Sequence, residues 1–180
     1  MKGDQSKSRA KRIIVEIVRQ GGPTFGGYTR LYKAFYFAHL YYFQENVGLL
    51  SDWPIVHMPK GPGIEAGREL IDELISAGQI IKETVYDGPF RSAQFRVVGN
   101  PKTDLDEKEI ASIRGAVDLV KTRSATELSE LLHDFSRAWI GAQSGQPLNI
   151  YIDLIEDGKY DDDMERMRTL RDEVAAVFRD

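Results

Sequence analysis

The side chains best suited to chemistry are few and widely spaced. Histidine occurs only at His39, His57 and His133, and there is no cysteine. Thiol catalysis, thiolate zinc sites and disulfide scaffolds are therefore excluded. No two of the histidines have the i, i+4 spacing that puts both imidazoles on one helix face for zinc. A ligand set would have to be assembled from distant segments. His133-Asp134 has no nucleophile to serve, because the chain contains no G-x-S-x-G elbow. Gly21 and Gly26 have the outer spacing of a phosphate loop. Gly27-Tyr28, however, stand where Lys and Ser/Thr should be, and a helix rather than a strand precedes them. Gly61-Pro62-Gly63 lacks the third glycine of a dinucleotide fingerprint. Glu69, Asp72 and Glu73 fall on the expected outer face of a helix, where solvation is their role. No catalytic residue, metal site or cofactor is expected.

The elements that would position these groups follow from periodicity and turn chemistry. Met1 to Ser8 are polar and read as a frayed end. A helix is expected from Arg9 to Gln20, with Ile13, Ile14, Ile17 and Val18 on one face and Gly21-Gly22-Pro23 as its stop. The next helix, Tyr28 to Asn46, carries eight of the chain's eighteen aromatic residues, spread almost all the way round. A helix that is apolar on every side is a buried one, so this helix is expected to form the spine of the core. Gly48 to Gly63, with Trp53-Pro54 and Pro59 to Gly63, reads as irregular backbone. A third helix is expected over Ile64 to Ala77 with Gly78 as its stop. Gln79 to Tyr86 and Phe90 to Val98 read as a hairpin turning at Asp87-Gly88-Pro89.

In the second half, Asp104 and Glu107 suggest a capped helix start. Ser124 and Glu127 form a capping box for a helix bearing Leu128, Leu131, Leu132, Phe135 and Trp139. Leu148 to Ile155 is apolar and fits either a strand or a buried helix. A last helix is expected to begin at Asp161-Asp162-Asp163. The fold class is mainly α with a small β-hairpin: one helical bundle over residues 9–180, winged-helix-like in its N-terminal half.

Charge and composition narrow the function. In 180 residues, 24 basic side chains meet 28 acidic ones, a formal charge of -4. The bases cluster early, at Lys2, Lys7, Arg9, Lys11, Arg12, Arg19, Arg30 and Lys33, and a self-complementary surface is the favoured reading. The helix that would enter a DNA groove offers Glu65, Glu69, Asp72 and Glu73 against Arg68, so carboxylates would meet phosphates. A DNA-binding winged-helix regulator using the basic N-terminus and the wing is the alternative. No secretion signal is visible, and the apolar run Leu31 to Phe43 is shorter than the roughly 20 residues a membrane span needs. The chain reads as cytoplasmic, with no membrane partner.

Three blocks carry a family resemblance. Leu31-Tyr32-Lys33-Ala34-Phe35-Tyr36-Phe37-Ala38-His39 resembles the L-x-K-L-L-Y-x-A-H signature of Panacea (SocA-like) domains, with Ala34-Phe35 in place of Leu-Leu. Gly61-Pro62 is similar to that family's Gly-Pro-Val step, with Gly63-Ile64 in place of the valine. Ser124, Glu127, Leu128, Ser129, His133 and Trp139 resemble its C-terminal S-x-x-E-L-S-x-x-x-H…W block. Together the blocks span about Gly27 to Leu154. The resemblance implies a bacterial or phage antitoxin-like module that binds and neutralises a toxin protein encoded nearby, or an adaptor that delivers it to a protease. Catalysis would have no part in either role.

Within the first block, Lys33 and His39 are six positions apart and lie on different sides of a helix. Lys33 either reaches the Gly61-Pro62 segment or snorkels to solvent, while His39 is expected to bond toward the His133 helix. Loop-borne aromatic and arginine residues suit an interface, so Trp53, His57, Phe90 and Arg91 are the candidate contacts with the protein partner. Trp139 continues an apolar stripe and reads as core.

Overall fold

A computed structural model describes residues 2–154 apart from 24 and 88. Helix α1 (Lys2–Gly21) and helix α2 (Tyr28–Glu45) lead into strands β1 (Ile55–Met58) and β2 (Gly61–Ile64). Helix α3 (Gly67–Ser76) and strands β3 (Ile80–Asp87) and β4 (Phe90–Val97) complete the first half. Helices α4 (Glu107–Lys121), α5 (Ala125–Phe135) and α6 (Arg137–Ile140) precede a 3-10 segment, Ile150–Leu154. The architecture is mainly α with two small antiparallel pairs, β1–β2 and β3–β4. The order helix, helix, helix, hairpin is present, with β1–β2 inserted before α3. The final helix expected from Asp161 lies outside the described residues.

Helix α2 is the hub. Its run from Leu31 to Leu40 is buried apart from Tyr32, and it packs against α1, α4, α5, β2 and the 3-10 segment. Phe35 and Tyr36 are fully buried, as are Ile13, Ile14 and Ile17 of α1. Each such side chain contributes about 1.5–3 kcal/mol by leaving water. Gly115 of α4 gives Tyr41 room to lie close to that helix.

Both strand pairs have a further edge covered. The Phe25–Gly27 segment pairs with β4 through Gly27 N to Ala93 O (2.7 Å) and Phe95 N to Phe25 O (3.0 Å). Residues Gly145 to Leu148 pair with β1 through Gly145 N to His57 O, His57 N to Gln146 O, and Leu148 N to Ile55 O. Covered edges remove templates for pairing with foreign strands.

Several expectations are corrected. Helix α1 is continuous from Lys2, where a frayed end was expected, and its first turns are tied by Lys7 and Lys11 to Glu73 and by Arg9 to Glu109. Glu73 is thus paired rather than merely solvated, and these contacts hold its carboxyl below its ordinary range. Residues 55–64, expected to be irregular, form a hairpin. Pro59 suits the first central position of a tight turn, and Pro62 sits opposite His57, whose N–H and carbonyl bond Gln146 and Gly145 instead, so its missing N–H costs no β1–β2 bond. Helix α3 starts at Gly67, not Ile64, after Ala66 takes a left-handed conformation (φ 48°). Its end matches expectation: Gln79 N bonds Leu74 O and Gly78 N bonds Ile75 O, a Schellman close with Gly78 at φ 68°.

The α4 capping box is Asp106 with Glu109, two positions after the pair read from sequence, because Asp104 faces Arg12 at 3.0 Å instead. The Ser124–Glu127 capping box is as expected, and its bonds hold the Glu127 carboxyl below its ordinary range. The helix it opens ends at Phe135, and Ser136 starts a separate short helix that carries Trp139.

Candidate functional site

One residue or more from each of the three sequence blocks meets at the β1–β2 hairpin, namely Lys33, Gly61-Pro62, and His133 with Trp139. From α2, Lys33 extends its ammonium to the Pro62 carbonyl at 2.7 Å, buried from solvent. Desolvation pulls the amine down from its ordinary value to about 7. Gly61 leaves room for this reach. A Cβ there would stand 2.8 Å from Lys33 Nζ, and the residue has φ 94°, so glycine is required twice over.

From the other side, Trp139 grips the same hairpin. Its indole N–H donates to the Met58 carbonyl at 2.9 Å. His57 of β1 stacks on the indole at 4.6 Å between centroids and His133 of α5 at 4.3 Å, each ring within 8° of parallel. Trp139 is therefore partly buried and joins α5 and α6 to β1. Among the described residues, Nδ1 of His57 and Nε2 of His133 have no hydrogen-bond partner.

His39 bonds elsewhere than the sequence suggested. Its Nδ1 lies 2.8 Å from the Phe35 carbonyl, which can only accept, so the proton sits on Nδ1. Nε2 then accepts from the Ser51 hydroxyl at 3.0 Å. The partner is the loop before β1 and not the His133 helix, because His133 is held against Trp139. Burial lowers the His39 pKa to about 4, favouring the neutral ring.

Tyr36 donates to Asp153 at 2.6 Å, Ser136 donates to the same oxygen at 2.8 Å, and the Ala138 amide reaches the other oxygen at 2.9 Å. Burial, then Asp153, pushes the Tyr36 hydroxyl well above its ordinary value. Asp153 thus binds α2 to the start of α6. Nothing about an aspartate in an apolar run marked this role, and Ser51, Met58 and Ser136 were equally silent.

The remaining expected residues are placed as follows. Leu31 and Ala38 are core positions of α2, and Leu128 is core in α5. Ser124 and Glu127 cap α5 from the surface, and Ser129 bonds back to the Ala125 carbonyl. Trp53 donates its indole N–H to the Glu65 carbonyl at 2.8 Å, tying the loop to the start of α3. Phe90 opens β4 opposite Asp87, and Arg91 is exposed opposite Tyr86, itself 70% exposed.

Among the described residues, no group of three or more histidines and carboxylates gathers as a metal site. Among the same residues, no helix is long and apolar enough to cross a membrane.

The profile of antitoxin SocA-like Panacea domains matches residues 31–140. The chain belongs to that family. The matched stretch of the Panacea domain runs from the first signature residue of α2 to the end of α6, and so contains Lys33, Gly61-Pro62, His133 and Trp139. Comparison with curated proteins and with solved structures returned no match.

Proposed function

We propose that this Panacea domain is a non-catalytic, cytoplasmic protein-binding module. It recognises a toxin-like protein encoded beside it and either neutralises that protein or hands it to a protease. The observation that carries the reading is the antitoxin family match over residues 31–140. Electrostatics supports a protein rather than DNA as partner. Glu65, Glu69 and Asp72 are exposed at and around α3, and Lys7, Arg9, Lys11, Arg12 and Arg19 are engaged by Glu73, Glu109, Asp104 and Glu16. Bases already paired within the molecule release few counterions on meeting phosphate.

The candidate contacts carried forward are Trp53, His57, Phe90 and Arg91; Arg91 is exposed on the β3–β4 hairpin. Co-expression with the product of the adjacent reading frame tests the proposal. Growth should be rescued and the two chains should co-purify. Unrelieved toxicity with no complex overturns it.

A further inference from the structure

A cleft of about 330 Å³ opens beside the signature lysine, lined by Tyr28, Tyr32, Lys33, Lys60, Gly61 and Arg68 among others. No carboxylate belongs to its lining, although the whole chain is acidic. Among the described residues, no acid pairs with Lys33, Lys60 or Arg68. Lys33 spends one of its ammonium protons on the Pro62 carbonyl, and that carbonyl is its one hydrogen-bond partner among the described residues. Arg68 lies over the Tyr28 ring at 4.9 Å, a cation–π contact that holds its charge at the mouth of the cleft. Lys82 adds a further cation 5.9 Å from the same ring.

Helix α2 begins at this cleft with no acid in its first turn and no side-chain cap, so its positive end is uncompensated. The nearest acids on α3, Glu69 and Asp72, are felt at Tyr32 but lie outside the lining. The volume is at the small end for ligand sites, a size for one or two side chains and not for a large cofactor. Tyrosine and arginine are also the residue types that most often anchor protein interfaces.

We infer that this cleft is an acid-recognition site, built to seat a glutamate- or aspartate-bearing segment of a partner polypeptide between Arg68, Lys60 and Lys33. The inference rests on the protein-binding reading above and names the chemistry of the partner's anchor.

The test uses the full chain, carbon-13-labelled at lysine, titrated with fluorescein-labelled hexaglutamate, with hexaglutamine as control. Hexaglutamate should bind and shift the Lys33 ε-carbon signal, and hexaglutamine should do neither. Arg68→Gln with Lys60→Gln should weaken binding about tenfold or more, whereas Lys121→Gln, on α4, should leave it unchanged. An unmoved Lys33 signal, or equal affinity in the double variant, overturns the assignment. So does inorganic phosphate that displaces the peptide at lower concentration than free hexaglutamate does, which would mark an oxyanion site instead. If the adjacent gene product co-purifies equally well with the double variant, the cleft assignment fails while the protein-binding reading stands. If hexaglutamate binds as described but no partner co-purifies, the reverse holds.

Discussion

Lys33 and Pro62, 29 positions apart, are joined by a 2.7 Å hydrogen bond from a buried ammonium to a strand carbonyl. This contact couples the hub helix to the β1–β2 hairpin, and Trp139 couples the same hairpin to α5 and α6. Lys33 and Trp139, both signature residues, thus fix one hairpin from two sides.

The buried amine gives a pH signature. Its folded pKa, about 7, lies below the ordinary 10.5, so between these values the unfolded chain holds more protons. Stability should rise with pH across that window, with a slope of up to about 1.4 kcal/mol per pH unit from this group. Urea unfolding at several pH values should show the rise in the native chain and a flatter profile for Lys33→Met. If Lys33→Met leaves both melting temperature and partner binding unchanged, the clamp has no energetic role.

Gly61→Ala should destabilise by roughly 2–3 kcal/mol, combining a left-handed backbone with displacement of Lys33. Gly22→Ala is the control. It has φ 77° with nothing within 4 Å of the added carbon, and should cost only about 1 kcal/mol. Thermal unfolding of the two variants compares them directly, and equal losses would deny the contact.

Trp139→Ala should lose about 3–5 kcal/mol, because two imidazole stacks and one hydrogen bond vanish together. Trp139→Phe keeps an aromatic face but strands the Met58 carbonyl, a loss of about 1–3 kcal/mol. Chemical denaturation gives both values. Near-ultraviolet circular dichroism should also show the fixed indole environment of the native chain diminished in each.

His39 works in the opposite part of the pH scale. Its folded pKa, about 4, is below the ordinary 6.5, so its contribution is intact above pH 6.5 and is lost as pH falls toward 4. Nitrogen-15 NMR should find the proton on Nδ1 at neutral pH. Ser51→Ala should leave Nε2 without its donor and cost about 1–3 kcal/mol. A ring protonated at Nε2 would contradict the assigned chain of bonds.

Much of this was readable before the coordinates. The all-round aromatic pattern of Tyr28 to Asn46 identified the buried hub, alternation around Phe95 and Val97 with the Asp87-Gly88-Pro89 turn identified β3–β4, and Ser124 with Glu127 marked the start of α5. These signals are local, each lying within one helix or one strand. What escaped were relations set by packing. The β1–β2 hairpin is hidden behind prolines and glycines, and the outer edge of β1 is completed by bonds that join Ile55 and His57 to residues 145–148. The α4 cap shifted to Asp106 because Asp104 was drawn to Arg12, and Glu73 was claimed by lysines of α1. Asp153 and Ser51 acquire roles only once distant hydroxyl and imidazole groups arrive beside them. The cation-lined cleft likewise draws on α2, the β1–β2 turn and α3, which no single window of sequence displays.

The most direct test is light scattering on the product of co-expressing this chain with its neighbouring gene. One particle containing both polypeptides, formed as growth recovers, is the expected result. A chain that elutes alone while the neighbour remains toxic would contradict a role in binding that protein.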